Sequence, residues 1–595
     1  MKARLLATIA AVLPLPALAQ PAADTVLTGG QIHLLDAADR VVPALAVRDG
    51  RVVYVGADAG AKALVGPGTH VIDLAGGAVM PGLIDGHMHP LAGGLGLLSC
   101  TLDYRRLTIP EIQGIIRGCL AKDPGAGDDK WLVVINWFQQ ETQPLGVETT
   151  RALLDALPTK RPILISSSFG HSSLANTRAL ELAGITAKTP DPAGGQIHHD
   201  AAGAPTGLLE DMAQGLVTDK VPPPSEAETQ AAARAALAAM ARQGITGFLD
   251  AVAPPSDIAA FAAVEKQGGL TARAHFAPLI EPKDGPAPDA AIAAIVALRT
   301  QYDQGALRPQ PTITVRNVKL FMDGVITAPA QTGVMLAPYW TNHGSADHPD
   351  WRPGPTTGPA PYFPPAVLAP LIEKIAALGF DPHMHADGDG AVRIALDAVA
   401  ALRAAHPAYD TRPAIAHDEI VDPADYARYK ALNVVPVLSL QWEKRAADTV
   451  PGARDQMGPE RFARLEPSGF LADAAAPIAY GSDWPVDPLD EWFALKVGVT
   501  RRNDPAAGAD YVAPLPGPGL TLAQTVHAIT TGAAYELREE TVAGSLEPGK
   551  FADLILLDHD IFHDAPDTLA KTTVKFTMVG GKVVYTADAK DKTAK

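Results

Sequence analysis

Cys100 and Cys119 are the only cysteines in 595 residues. Two cysteines exclude a disulfide framework, and without a Cys-x-x-Cys pair they exclude a thiolate metal site as well. Charge is scarce, at 19% of residues, and leans acidic, with Lys+Arg 49 against Asp+Glu 66 for a formal net charge of −17. No basic stripe interrupts that balance. Nucleic-acid binders need one to displace counterions, so the composition argues against nucleic acid as a partner. Patterns for a phosphate-binding P-loop, a dinucleotide site, His-Glu-x-x-His and Gly-x-Ser-x-Gly are absent, which removes the chemistries they serve. Long hydrophobic runs are missing too. The apolar stretch from Leu5 to Leu18 is shorter than the ~20 residues a bilayer span requires. Lys2 and Arg4 precede it and Ala17-Leu18-Ala19 closes it, which completes the three parts of a secretory leader. The expectation is a signal peptide over residues 1–19, cleaved after Ala19, and a periplasmic or secreted mature chain without a membrane span.

An exported context permits one bridge between Cys100 and Cys119 as a staple across a short loop; the alternative is two buried thiols packed as small apolar groups. Hydrophobic residues make up 47% of the chain, enough for a large core. The length fits about four domains, or one large barrel with attached pieces. Short strand patterns run from Thr25 to Val79 with a turn at Asp49-Gly50, and the same style returns near the end, with a turn at Gly580-Gly581. Residues 20–80 and 541–595 are therefore expected to build one small β domain from both ends.

Between them, apolar strands alternate with Ala-rich helices. RPILISSS, GITGFLDAV, ARAHFAPLI, TITVRNVKLF, FDPHMHA, RPAIAHDEI, NVVPVLSL and PIAYGSDWP read as strands. ETQAAARAALAAMARQ and DGAVRIALDAVAALRAAH read as helices. That alternation predicts βα units and a parallel sheet covered on both faces. Periodicity leaves closed barrel and open sheet undecided, but the polar residues gather at the C-terminal strand ends, where a barrel places its site. Residues 91–224 are too many for one connection and are expected to form an inserted α/β lobe within the stretch 81–540.

The chemistry-bearing residues come in four groups. In Asp85-Gly-His87-Met-His89 the two imidazoles are two residues apart and share one side of a strand. They suit a first-row divalent metal, although alone such a pair reads equally well as packing. His383-Met-His385-Ala-Asp-Gly-Asp389, Ala416-His417-Asp418-Glu419 and Gly481-Ser482-Asp483-Trp484 stand at three further strand ends. Four such ends in one βα array are hard to explain as packing. They could bind one metal with an open position, or two with a bridging group. Lys319, inside the apolar strand VRNVKLF, must be neutralised or paired. Carbamylation would turn it into a bridging carboxylate; pairing with Asp323 or Asp483 would keep it an ammonium. Trp137 and Gln139 read as pocket lining or buried packing, His198-His199 as a lobe turn, Asp387-Gly-Asp389-Gly as a βα turn, and Ser166 to Ser168 as the end of a barrel strand.

MPGLIDGHMHP, AHDEI, GSDWPV and SLEPGKFADLILLD resemble the amidohydrolase superfamily of metal-dependent hydrolases. PILISSSFGHSSLANTRAL, GGQIHHDAAGAPTGLLED, VKLFMDG and HADGDGAV resemble its YtcJ-like branch, which includes N-substituted formamide deformylases. The similarity runs in order over nearly all of the mature chain. It implies an α/β fold: a distorted (β/α)8 TIM barrel over 81–540 with the inserted lobe, and a composite β-sandwich from 20–80 and 541–595. It also implies one or two divalent metals, usually zinc, and often a homodimer. By resemblance, His87, His89 and Asp483 bind a buried metal, carbamylated Lys319 bridges, and His385 and His417 hold a more exposed metal. The His-Ala-x-Gly-Asp pattern selects His385, where spacing alone leaves His383 its equal. His171 matches a substrate-region histidine, while Phe169 stands where an acidic residue is usual.

The activity implied is cleavage of a C–N bond in a small-molecule amide, formamide or cyclic amide by metal-activated hydroxide. Asp483 would act as general base and then acid, and His171 or the exposed metal would polarise the carbonyl. Alternatives on the same scaffold are an ester or lactone hydrolase, a single-metal deaminase, and a binding protein that has lost catalysis.

Overall fold

The computed structural model describes residues 21–587 except 140, 141, 145, 169, 171, 193, 194, 329, 346, 447, 448 and 451. The expected leader, Phe169 and His171 lie outside the described residues. Among those described, no helix is long and apolar enough to cross a membrane.

Both ends of the chain form strands. Ala44–Arg48 and Arg51–Gly56 pair antiparallel around Asp49 and Gly50, which both take positive φ, +53° and +72°. That conformation is the one a two-residue hairpin turn demands and an Asp-Gly pair readily adopts. These strands join Thr25–Thr28 and His70–Asp73 in a four-stranded sheet. A second, six-stranded sheet interleaves the two ends: Leu554–Leu557 pairs antiparallel with Ala78–Pro81 on one side and Val574–Val579 on the other. Leu27 and Leu45 of the first sheet and Val79, Leu554 and Met578 of the second share one buried apolar cluster.

The central stretch supplies two parallel arcs. Leu83–Met88, Ile245–Asp250, Arg273–Phe276 and Ile313–Thr314 form one. Asn317–Phe321, Asp381–Ala386, Ala414–His417, Val435–Leu438 and Ala479–Tyr480 form the other. Backbone hydrogen bonds join the arcs at both seams. At one, Lys319 N donates to Pro278 O (2.9 Å) and Ile280 N to Lys319 O (3.1 Å). At the other, Asp483 N donates to His87 O and His89 N to Trp484 O, each at 2.7 Å. TITVRNVKLF is thus not one strand; it breaks between Thr314 and Asn317 and contributes to both arcs.

Helices pack outside the arcs. Glu226–Gln243 begins with a Ser225/Glu228 capping box and ends at Gly244, whose φ of +92° suits a residue without a Cβ. Phe261 of the helix Pro255–Lys266 meets Phe248 and Phe276 of the first arc, the three ring centroids 5.4 to 6.3 Å apart, each burial contributing roughly 1.5–3 kcal/mol.

A separate six-stranded sheet, running from Cys100–Thr101 to Pro205–Asp211, lies between the helices Pro90–Leu98 and Glu226–Gln243 in sequence. A disulfide joins Cys100 to Cys119 on the helix Ile109–Lys122. Two expectations are corrected here. Ile163–Ser167 belongs to this sheet and not to the parallel arcs, so Ser166 and Ser167 do not end a barrel strand. A buried parallel strand carries the same apolar run in either sheet. His198 and His199 end the strand Gly195–His199, paired to Pro205–Asp211, and do not form a turn.

Candidate metal centre

The C-terminal ends of the parallel strands bring together most of the residues singled out in the sequence. His87 and His89 flank Met88 at the end of a fully buried strand. His87 Nε2 lies 3.4 Å from Asp483 Oδ1 and 3.4 Å from Lys319 Nζ, and His89 Nε2 lies 2.9 Å from Asp483 Oδ1. The rings of His417 and His87, and of His417 and His385, are each 4.7 Å apart. Candidate ligand atoms of His87, His417 and Asp483 all fall within 4.8 Å of one another, as do those of His385, Asp387 and His417.

Local backbone makes this convergence possible. His417 and Asp483 take left-handed φ values of +79° and +54°, a conformation costing about 1–2 kcal/mol for a residue with a Cβ. Asp483 is held there by its bond to His87 O. Gly481 passes so close to His87 that a Cβ would lie 2.4 Å from that histidine's own Cβ. Asp85 Oδ1 accepts from His87 N and Ser482 N, each at 3.0 Å, and so ties the first strand to the last.

Electrostatics favour a cation. Burial, reinforced by the nearby Lys319, pushes His87 and His383 well below the usual imidazole range and His385 to about 3. Burial, with His385 and His87 close by, does the same to His417. Imidazoles kept neutral are in the ligating form. Burial works against ionisation of Asp483, yet the hydrogen bond from His89 and the charges of His417, His89 and Lys319 hold it below the usual carboxylate range. Lys319 is 1% exposed; desolvation lowers it to about 8, against the pull of Asp483, Asp387 and Asp250. Its Nζ also stands 4.7 Å from the centre of the Phe321 ring. Burial raises Asp250 and Asp387 far above their ordinary values, with Asp257 adding to the shift at Asp250 and Glu419 at Asp387. Among the described residues, His417 Nδ1 is buried without a hydrogen-bond partner. Neutral imidazoles, an ionised carboxylate and an unpartnered ring nitrogen are a donor set that fits a divalent metal.

Asp323 stays outside this set. Its carboxylate accepts from Val334 N, Gly388 N and Asp387 N at 2.8 to 3.0 Å and so organises the turn after His385. Trp137, weighed as pocket lining, is 2% exposed in the lobe core, with Nε1 donating to Thr142 Oγ1 at 3.1 Å. Three neighbours escaped sequence reasoning. Asp387 was assigned to a turn, although the His-Ala-Asp run places a carboxylate two residues after an imidazole. Glu536 and Trp442, the latter stacked on His417 at 5.2 Å, carry no local signal.

Parallel strands thus carry, at their C-terminal ends, a buried donor set that fits a divalent metal. The amidohydrolase family model matches residues 70–585, and the chain belongs to that family, which makes it a hydrolase acting on C–N bonds. It is 27% identical over 572 residues to the putative amidohydrolase YtcJ of Bacillus subtilis (strain 168), covering 94% of this chain and 98% of that one. It is 25% identical over 585 residues to the N-substituted formamide deformylase of Arthrobacter pascens, again covering 94% and 98%. Among solved structures, an uncharacterized metal-dependent hydrolase from Pyrococcus horikoshii OT3 matches with a TM-score of 0.69 at 22% identity, over 91% of this chain and 99% of that one.

Proposed function

We propose that this protein is an exported hydrolase that cleaves the C–N bond of a small-molecule amide, formamide or cyclic amide at a two-metal site, with Lys319 carbamylated as the bridge. In this reading the two arcs form a distorted (β/α)8 barrel, and residues 20–80 and 541–595 form a composite β-sandwich beside it. The observation that carries it is the double convergence of His87, His417 and Asp483 and of His385, Asp387 and His417, each within 4.8 Å. The formamide deformylase relative supports the bond type.

His87, His89 and Asp483 would hold the inner metal and His385 and His417 the outer one, with Asp387 within reach of the latter pair. Bound there, divalent metals supply a water acidic enough to attack at neutral pH and an electrophile for the carbonyl oxygen. Asp483, ionised and anchored by His89, takes the proton of the attacking water at its carboxylate. It returns that proton to the nitrogen as the C–N bond breaks, releasing an amine and a carboxylic acid. His171, on the sequence alone, is assigned to polarise the carbonyl. The lowered Lys319 amine supports carbamylation, because only the neutral amine adds carbon dioxide.

Metal content per chain, measured by elemental mass spectrometry on wild type and Lys319→Ala, tests the reading. Close to two equivalents, falling to one or none in the variant, is the expected result, with loss of turnover on amides and formamides. One equivalent untouched by the substitution would make Lys319 structural, and a folded protein binding no metal would overturn the hydrolase reading.

A further inference from the structure

His383 is the imidazole that the metal assignment leaves over, and its surroundings give it a task. Its Nε2 lies 2.7 Å from His87 Nδ1, on the far side of the His87 ring from Lys319 and Asp483. Its other nitrogen, Nδ1, lies 3.3 Å from Glu536 Oε1. Both ring nitrogens therefore stand beside protein groups. Glu536 is 1% exposed, and among the described residues neither its carboxyl oxygens nor His383 Nδ1 makes an aligned hydrogen bond, so the two buried groups have only each other within reach. Room for that carboxylate comes from Gly86, the residue before His87, where a Cβ would lie 2.0 Å from Glu536 Oε2.

We infer that Glu536, His383 and His87 form a buried positioning chain that fixes which nitrogen of His87 faces the metal. The inference rests on the reading that His87 Nε2 is a ligand, and the rest follows by elimination. A ligating Nε2 requires the proton of neutral His87 on Nδ1, which donates to His383 Nε2. Neutral His383 then carries its own proton on Nδ1, aimed at Glu536. The Glu536 carboxyl and the two imidazoles thus hold the His87 ring in one orientation and one tautomer. Partners of this kind behind a ligating histidine are worth ~10–100-fold in metal affinity. His383 and Glu536 are positioning residues, since neither reaches the metal or the substrate.

Zinc affinity of the full chain, read by competition with a fluorescent chelator, tests the chain without an activity assay. The variants are His383→Leu, His383→Gln and Glu536→Leu, with thermal unfolding of each metal-free protein as the check on folding. His383→Leu removes the acceptor and is expected to weaken the tighter site ~10–100-fold. His383→Gln keeps an acceptor within reach of His87 Nδ1 and is expected to recover most of that loss. Equal affinities in His383→Leu and His383→Gln would reduce the residue to packing and overturn the inference. Should His383→Leu fail to fold, Glu536→Leu, which removes the acceptor at nearly the same volume, decides: unchanged zinc affinity overturns the chain, and a weakened site in a folded protein supports it. A wild-type protein that binds no zinc would instead strike at the metal reading underneath.

Discussion

Arg273→Met should cost this protein several kcal/mol without touching the metal centre. Arg273 opens its strand, whereas the candidate ligands close theirs. Its guanidinium is 1% exposed, and Nε and one terminal nitrogen donate to Asp553 at 2.8 and 3.2 Å. The carbonyls of Arg308, Pro309 and Gln310 accept the remaining bonds, and the Phe551 ring lies 4.2 Å away. Asp553, just before the strand Leu554–Leu557, also accepts from Gly580 N at 2.6 Å. Methionine fills the volume but leaves a buried carboxylate with that single donor. Removing one partner of a buried ion pair costs about 3–5 kcal/mol. Two charge-assisted bonds at roughly 1.5–3 kcal/mol each give about 3–6 kcal/mol, which overlaps that range. Urea unfolding of zinc-saturated wild type, Arg273→Met, Asp553→Asn and the double variant measures both the loss and the coupling, expected at about 2–3 kcal/mol. A loss below about 1 kcal/mol in Arg273→Met, or strictly additive losses, would refute the argument, because either would mean that the pair does not join the terminal sheet to the parallel strands.

Two further outcomes are expected. Glu540 is pushed up by burial, but its bonds to Arg412 at 2.6 and 2.8 Å and the charges of Arg412 and Arg538 win and hold it below its ordinary value. Its contribution to stability is then fully present above the ordinary glutamate value of about 4.3 and is lost as pH falls through the depressed one. Unfolding midpoints followed downward from about pH 6 should fall less steeply in Glu540→Gln than in wild type; identical slopes would disprove the link. The Cys100–Cys119 bridge spans 19 residues, a loop whose closure is worth ~3 kcal/mol by chain entropy. Cys100→Ser/Cys119→Ser should therefore lower the lobe's unfolding midpoint while leaving metal stoichiometry intact, and a drop in metal content would show that lobe and centre are coupled.

The sequence exposes the parts of this molecule governed by short-range rules and conceals those set by contacts across the fold. The Asp49-Gly50 turn, the strand at GITGFLDAV and the capped helix after Ser225 can be read locally, because turn chemistry, apolar runs and capping boxes act over a few residues. His383 and His385 could not be separated by alternation, since residues two apart share a side of the strand. The family resemblance favours His385, and the three-dimensional neighbours give the physical distinction, with His87 and Glu536 around one and Asp387 and His417 around the other. Which sheet Ile163–Ser167 joins was equally hidden, because an apolar strand does not record its neighbours. Trp137 shows the same limit, for a tryptophan at a strand end serves a pocket or a core equally well.

The seam between the first and last parallel strands has a consequence for the order in which the protein becomes functional. His87 and Asp483 are bonded through the backbone yet stand about four hundred residues apart. At synthesis rates of about 5–20 residues per second, the imidazoles near the start wait tens of seconds for the aspartate that completes their site. The strand Ala78–Pro81 waits longer still for Leu554–Leu557. A nascent or truncated chain that lacks Asp483 therefore holds only part of the candidate donor set, and the set is complete only once most of the chain has been made.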